Sequence, residues 1–291
     1  MGTLTTDDSI ARRIKEMPML SAVASRLLEL TGDQDHSIND VGRIVESDAF
    51  LTSRVLRVAN SAAFSPIDPI QTVNKAVSYL GEKMLIGIAI GSGSAKVFKT
   101  PLDGYESKAG ELWDHSLRTA IASRELAEFA AKNLSPNIAF TAGLLHDIGK
   151  SVISEFLEGN TKDLTSLCDK GVAEDFLAAE RSMAGTDHCE VGFQLGNHWR
   201  LPATLCAAIK YHHHPWKSEE EYKPLVYAVH LGDIVAMLGG VGTGADSFAY
   251  RIDINYDNYI KVGKEDLSYL LLKVEEEFSK TRNFVFGSEE I

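Results

Sequence analysis

The sequence predicts an all-α protein, and three observations carry that prediction. Apolar residues recur every three to four positions through most of the chain, no segment alternates cleanly enough to be a strand, and Ser, Asp and Pro starts and Gly stops punctuate the periodic runs. Leu20, Val23, Leu27 and Leu30 fall on one face of a helix over residues 19–30, with Gly32 placed to end it. Ser37 with Asp40 three positions on reads as an N-cap and its acidic partner, opening a helix through Val41, Ile44 and Val45. Residues 48–63 follow, with Leu51, Val55, Leu56, Val58 and Ala59 facing a core, until Pro66 and Pro69 break the pattern. Two helices over 72–80 and 83–98 are separated by Gly81, although residues 85–89 taken alone would suit a strand.

Thr100, Pro101, Leu102, Asp103 and Gly104 read as a linker, dividing an N-terminal helical subdomain, 1–101, from a second helical domain, 102–291. In the second part helices are expected over 105–132, from Pro136 through His146 toward Ile153, and over 161–183 with a break near Gly171. Further helices are expected over 188–199, 202–212, 224–238 and 266–280. The Gly-rich stretch 239–244 has no strand before it and no Gly-Lys-Ser/Thr, so it reads as a turn and not as a phosphate loop.

Composition narrows the function. A chain of 291 residues with 44% hydrophobic content can bury a sizeable core. A net charge of −12, with no Lys/Arg cluster, argues against a nucleic-acid partner or an anionic membrane surface. Cys168, Cys189 and Cys206 are odd in number, far apart and in no Cys-x-x-Cys pair, which fits reduced thiols and a cytoplasmic location. Residues 1–13 lack the apolar core of a signal peptide, and the longest apolar run, 84–90, falls far short of a membrane span.

The chemistry centres on Gly143–Lys150, GLLHDIGK. His146 and Asp147 can bind one divalent cation through a ring nitrogen and a carboxylate oxygen. Lys150, one helical turn past His146, could meet an anion held at that cation. Other candidates lie on separate predicted helices: Glu111 and His115 as an i, i+4 pair, His188 near the start of a later helix, and His212, His213 and His214 at the end of the next. Asp233 is informative, because a carboxylate inside an apolar helix costs several kcal/mol unless it is paired or bound to metal. His36, His198 and His230 fit no set and read as structural or surface residues; His230, three before Asp233, could also partner it.

In order, His115, His146-Asp147, His188, His212-His213 and Asp233 resemble the HD superfamily of metal-dependent phosphohydrolases. His188, the doubled histidine and Glu111 look like the HD-GYP branch, whose members carry two or three metals and hydrolyse cyclic di-GMP, and Lys150 matches its substrate-binding lysine. The Gly-Tyr-Pro signature is absent, since Pro215-Trp216-Lys217 follows the triplet. The first third resembles a different relative. MPMLSAV (17–23), SINDV (37–41), ESD (46–48), RVLRVANSAAF (54–64), VNKAVSYLG (73–81) and WDHS (113–116) look like the HDOD domain, an HD-related output module of bacterial signalling proteins. That likeness covers roughly residues 15–240.

The resemblance implies an HD-like helical core preceded by an N-terminal HDOD subdomain. It implies one or two divalent cations with Glu111, His115, His146, Asp147, His188, His212, His213 and Asp233 as ligands. Asp147 would bridge, with His115, His146 and Asp233 on one cation and His188, His212 and His213 on the other. An all N/O set suits iron, manganese, nickel or zinc. Many HDOD domains have lost these residues, whereas this chain keeps a candidate at each position. Two readings therefore stand: a signalling output module that acts through contacts with other signalling proteins and retains a metal site, or a metal-dependent phosphohydrolase on a cyclic or other nucleotide with Asp147 and Lys150 as catalytic residues.

Overall fold

The computed structural model describes residues 6–31, 36–60, 66–93, 95–240, 244–246 and 250–286, and among them there are helices and two isolated β-bridges but no strand. In chain order the helices are α1 (Thr6–Glu16), α2 (Ala22–Thr31), α3 (Ile38–Glu46), α4 (Ala49–Ala59), α5 (Val73–Leu80), α6 (Glu82–Gly93), α7 (Ala95–Lys99) and α8 (Glu111–Ala127). They continue as α9 (Pro136–Leu145), α10 (Lys150–Leu157), α11 (Thr161–Asp169), α12 (Phe176–Ala184), α13 (His188–His198), α14 (Ala203–Tyr211), α15 (Lys223–Leu238) and α16 (Lys264–Phe286). The predicted helix ends at Gly32 and 61–63, and the middle of the 239–244 turn, lie outside the described residues.

Local chemistry starts these helices where the sequence says it should. Ser37 and Asp40 form the reciprocal capping box of α3. Asp48, Thr72, Ser135, Asp175 and Asp187 each accept a backbone N–H at a helix start, and Pro136 occupies the first turn of α9. Residues 85–89 are helical, with Leu85, Ile86 and Ile88 fully buried, so their apolar run is a buried helix face and not a strand.

Two expectations in the second half need correcting. The long helix over 105–132 begins only at Glu111, because Glu106 (φ 54°) and Gly110 (φ 86°) take left-handed backbone and Leu102 bridges Ser107. The helix from Pro136 does not run on to Ile153. It closes at Leu145, and a turn carrying His146–Gly149 precedes α10.

Contacts group the chain into two compact units, Met19–Ala95 with Glu276–Ile291, and Met1–Pro18 with Lys96–Glu275. This grouping differs from the expected division at 101/102. Helix α1 joins the larger unit by burying Ile10, Ile14 and Met17 and by the Arg13–Glu155 ion pair at 3.0 Å. The expected linker is packed: Leu102 is buried, the Gly104 N–H donates to Ser154 Oγ, and the Gly104 carbonyl accepts from Thr161.

The smaller unit packs α2–α6 around Leu27, Leu28, Val45, Val55, Val77 and Ile86. In the larger unit α8 lies between α9 and α15. A Cβ on Gly143 of α9 would stand 2.8 Å from Ala120 Cα and one on Gly232 of α15 2.4 Å from Ser123 Oγ, so both helices approach one stretch of α8 at backbone distance. The far end of α15 closes a cluster of Leu126, Tyr227, Leu231, Ile260 and Leu270. Among the described residues no helix is long and apolar enough to cross a membrane.

Candidate metal centre

The close packing of α8, α9 and α15 sets the first part of the site. His115 points from α8, His146 and Asp147 from the turn after α9, and Asp233 from α15 beside Gly232. His115 Nε2 lies 3.0 Å from Asp233 Oδ1 and 3.6 Å from Asp147 Oδ2, while His146 Nε2 lies 3.7 Å and 3.4 Å from the same two oxygens. The second part comes from α13 and the end of α14. His188 Nε2 and His212 Nε2 lie 3.5 Å and 3.6 Å from the other oxygen of Asp147, Oδ1. Gly149 makes this meeting feasible: a Cβ there would stand 1.9 Å from the His188 carbonyl oxygen, so only glycine lets the His-Asp turn rest on the start of α13.

All five predicted segments that carry candidate ligands thus converge, and Asp147 shows one oxygen to each group. His213 lies at the edge, with Nδ1 3.8 Å from Asp233 Oδ2. Glu111 is not brought to the cluster through any described contact. It sits at the first position of α8, where its Oε2 accepts from Ser107 Oγ and the Lys108 N–H, because the left-handed turn at Gly110 folds the preceding chain over the helix end.

The ring tautomers are held by hydrogen bonds on the outer nitrogens. His146 Nδ1 donates to the Gly143 carbonyl at 2.7 Å, His212 Nδ1 to the Ile209 carbonyl at 2.9 Å, and His188 Nδ1 to Glu180 at 2.9 Å. Each bond leaves an Nε2 lone pair directed inward, the arrangement by which protein imidazoles are prepared for metal. His146 Nε2, His188 Nε2, Asp147 Oδ1 and both His213 nitrogens are buried without a hydrogen-bond partner. Buried polar atoms are rarely left so. Ligand atoms bonded to one cation at about 2.0–2.2 Å stand roughly 3.0–3.5 Å apart, close to the spacings seen here. The residues fit a divalent cation.

Electrostatics agree. Burial opposes charge on every group, yet Asp147 and Asp233 together push His146 up to about 10. Burial likewise raises Asp147 and Asp233, but His146 and Lys150 hold the first well below the carboxylate range, and His115 and His146 the second. His212, by contrast, is lowered to about 4 by burial, against the pull of Asp147, and His213 is lowered further by burial and by His212. The cluster therefore carries ionised carboxylates that already draw a proton onto His146 while His212 and His213 stay neutral, a set that attracts positive charge.

Lys150 opens α10 and is 2% exposed. Its Nζ donates to Asp147 at 2.7 Å and to Asp246 at 2.6 Å, and it stands 5.5 Å from the centre of the Tyr105 ring. The anion it meets here is an internal carboxylate. Tyr250 donates to the same Asp246 and stacks on His213 with ring centres 3.5 Å apart. His230 is structural: Nδ1 donates to the His212 carbonyl and Nε2 accepts the Asp253 N–H.

Sequence reasoning missed Glu180, Asp246, Tyr250 and Cys189. Glu180 is fully buried, accepting from Tyr105 Oη and from the His188 backbone and ring. An acid among Phe176, Leu177 and Ala179 carries the same signal as Asp233 and could have been found. Asp246 and Tyr250 lie in a segment without periodicity and gave none. Beside the cluster, a cavity of about 230 Å³ is bordered by His213, His214, Trp216, Tyr250 and Asp175.

The HDOD domain profile matches residues 17–215. An uncharacterised protein of Treponema pallidum (strain Nichols) is 25% identical over 222 residues, covering 76% of this chain; the chain spans only 42% of that relative's length. Among solved structures, an HDOD domain protein of unknown function from Geobacter sulfurreducens is 26% identical, with 95% of this chain and 96% of that one covered and a TM-score of 0.67. A protein of Shewanella amazonensis SB2B proposed to be a phosphohydrolase is 24% identical over 96% of this chain and 97% of its own, with a TM-score of 0.60. A protein of Marinobacter aquaeolei VT8 proposed to act in signal transduction is 21% identical over 98% of this chain and 62% of its own, with a TM-score of 0.74. These last two share the fold. With the helical units in place, and a profile match that takes in both the first third and the histidine-bearing helices, the chain belongs to the HDOD domain family.

Proposed function

We propose that this chain is a signalling output module that acts through contacts with other signalling proteins and keeps a divalent-metal centre in its larger unit. The observation that carries this reading is closure. His115, His146, Asp147, His188, His212, His213 and Asp233 are each at most 5% exposed, and Lys150 is already bonded to two carboxylates. A centre so enclosed is suited to holding the helices in one arrangement, and its occupancy would bias that arrangement in the way metal binding biases folding.

In this reading Asp147 would serve both metal positions, with His115, His146 and Asp233 holding one and His188, His212 and His213 the other. Iron, manganese, nickel or zinc would be held, as one or two ions. The unpaired cysteines fit a reducing cytoplasm.

A second reading, a metal-dependent phosphohydrolase acting on a cyclic or other nucleotide, is favoured by the cavity at His213 and Tyr250, which brings solvent-accessible space to the edge of the cluster. A bound divalent cation supplies Lewis acidity toward a phosphoryl oxygen and lowers the pKa of water. Asp147 would hold the two positions at a set separation, and Lys150 would bind a non-bridging phosphate oxygen in exchange for Asp246.

The test is elemental analysis of untagged protein, followed by turnover assays on cyclic dinucleotides and generic phosphodiesters. Bound metal with no turnover supports the module. Turnover that disappears in His146→Ala and Asp147→Ala overturns it in favour of the hydrolase. Folded protein that takes up no metal leaves neither metal claim standing.

A further inference from the structure

We propose that Cys189 is a sulfur ligand of the second metal position, an assignment that rests on the metal-centre reading above and extends it. Cys189 follows His188 in the first turn of α13 and is 4% exposed. Its Sγ lies 3.8 Å from Nδ1 and 3.9 Å from Nε2 of His212. Ligand atoms of His188, Cys189, His212 and His213 all lie within 4.8 Å of one another, and all four residues are buried.

The surroundings of the sulfur point to a ligand and not only to packing. His188 Nε2 and both nitrogens of His213 are buried without hydrogen-bond partners. The Nδ1 of His212 is engaged by the Ile209 carbonyl, so Nε2 is the atom it can offer. A cation bonded to sulfur at about 2.3 Å and to nitrogen at about 2.0–2.1 Å holds the two ligand atoms roughly 3.5 Å apart at the tetrahedral angle. Sγ now stands nearly equidistant from both His212 nitrogens, beside the ring and off the line of the Nε2 lone pair, so coordination requires the Cys189 side chain to turn toward Nε2. On coordination the thiol releases its proton to solvent, and the sulfur lone pair forms the bond to the cation.

The two positions then differ in kind. The one at His115, His146 and Asp233 has nitrogen and oxygen donors alone. The one at His188 and His212 gains a soft donor, which selects zinc or iron over manganese. An all N/O ligand set, as the sequence suggested, would give no such preference between the two.

The full chain, stripped of metal and reloaded with cobalt(II), tests this. Wild type, Cys168→Ala and Cys206→Ala are expected to show a thiolate-to-cobalt charge-transfer band in the near ultraviolet, and Cys189→Ala and Cys189→Ser to lose it completely. Cobalt bound by elemental analysis with no such band in wild type, or a band that persists in Cys189→Ala, overturns the assignment while leaving the metal centre intact. No cobalt bound at all overturns both. Should the variants fail to fold, X-ray absorption of the zinc-loaded wild type decides: a sulfur scatterer at about 2.3 Å supports the ligand, and nitrogen and oxygen scatterers alone refute it.

Discussion

Replacing Gly149 by alanine separates two physical effects that act in opposite directions. Gly149 has φ −63° and ψ −29°, ordinary helical backbone that alanine adopts freely. Judged on backbone alone, Gly149→Ala should stabilise the protein by about 0.4–1 kcal/mol through the unfolded state. The structure reverses the sign. The added Cβ would stand 1.9 Å from the His188 carbonyl oxygen and 2.6 Å from the Gly192 nitrogen, and both are backbone atoms that no rotamer change can move.

Since Cβ contacts under 3.0 Å are essentially never seen, the His-Asp turn and α13 must part by about 1.1 Å. Overpacking of this kind costs roughly 1–3 kcal/mol, and more where backbone must shift. The expected net loss is about 2 kcal/mol, a fall in Tm of roughly 4–8 °C for a unit of this size. The same displacement carries His188 away from Asp147, well beyond the ±0.2 Å or so that a metal site tolerates. Urea unfolding and metal stoichiometry measured on the same preparations check both consequences. A variant as stable as wild type that still binds the full complement of metal would refute the close packing of the two segments.

Three further outcomes are expected. Glu180→Gln removes the charge that orients His188 and should weaken metal binding roughly 10–100-fold in competition with a chelator; unchanged affinity would count against the carboxylate–histidine arrangement. His230→Leu leaves the buried His212 carbonyl and Asp253 N–H without their shared partner and should cost about 2–3 kcal/mol in urea unfolding; a loss below about 0.5 kcal/mol would contradict it. Burial raises the Glu125 carboxyl, but Lys273 and Arg124 outweigh it and hold the group below its ordinary value. Its stabilising effect is therefore complete above about pH 4.5 and fades as pH falls through the lower folded value. Glu125→Gln should destabilise by about 1 kcal/mol at pH 7, with the gap to wild type closing below about pH 4; a gap that is constant with pH would exclude a charge effect.

By itself the sequence determined the helices and the order of the candidate ligands. A 3.6-residue apolar period and a cap are properties of one segment, so Ser37 with Asp40, Pro136, and Asp233 inside an apolar run could be read without knowing what lies opposite. Tertiary structure alone decided which atoms meet. Lys150 and Asp246 are 96 residues apart, and nothing in either neighbourhood names the other. Glu111 sits one helical turn from His115, as its spacing requires, yet its Oε2 accepts from Ser107 and Lys108 because a left-handed turn at Gly110 returns the chain over the helix start. Cys189 and Glu180 meet the histidines only because α12, α13 and α14 pack at particular depths. Periodicity reports which face of a helix is buried, while the partner across that face depends on the path of the rest of the chain.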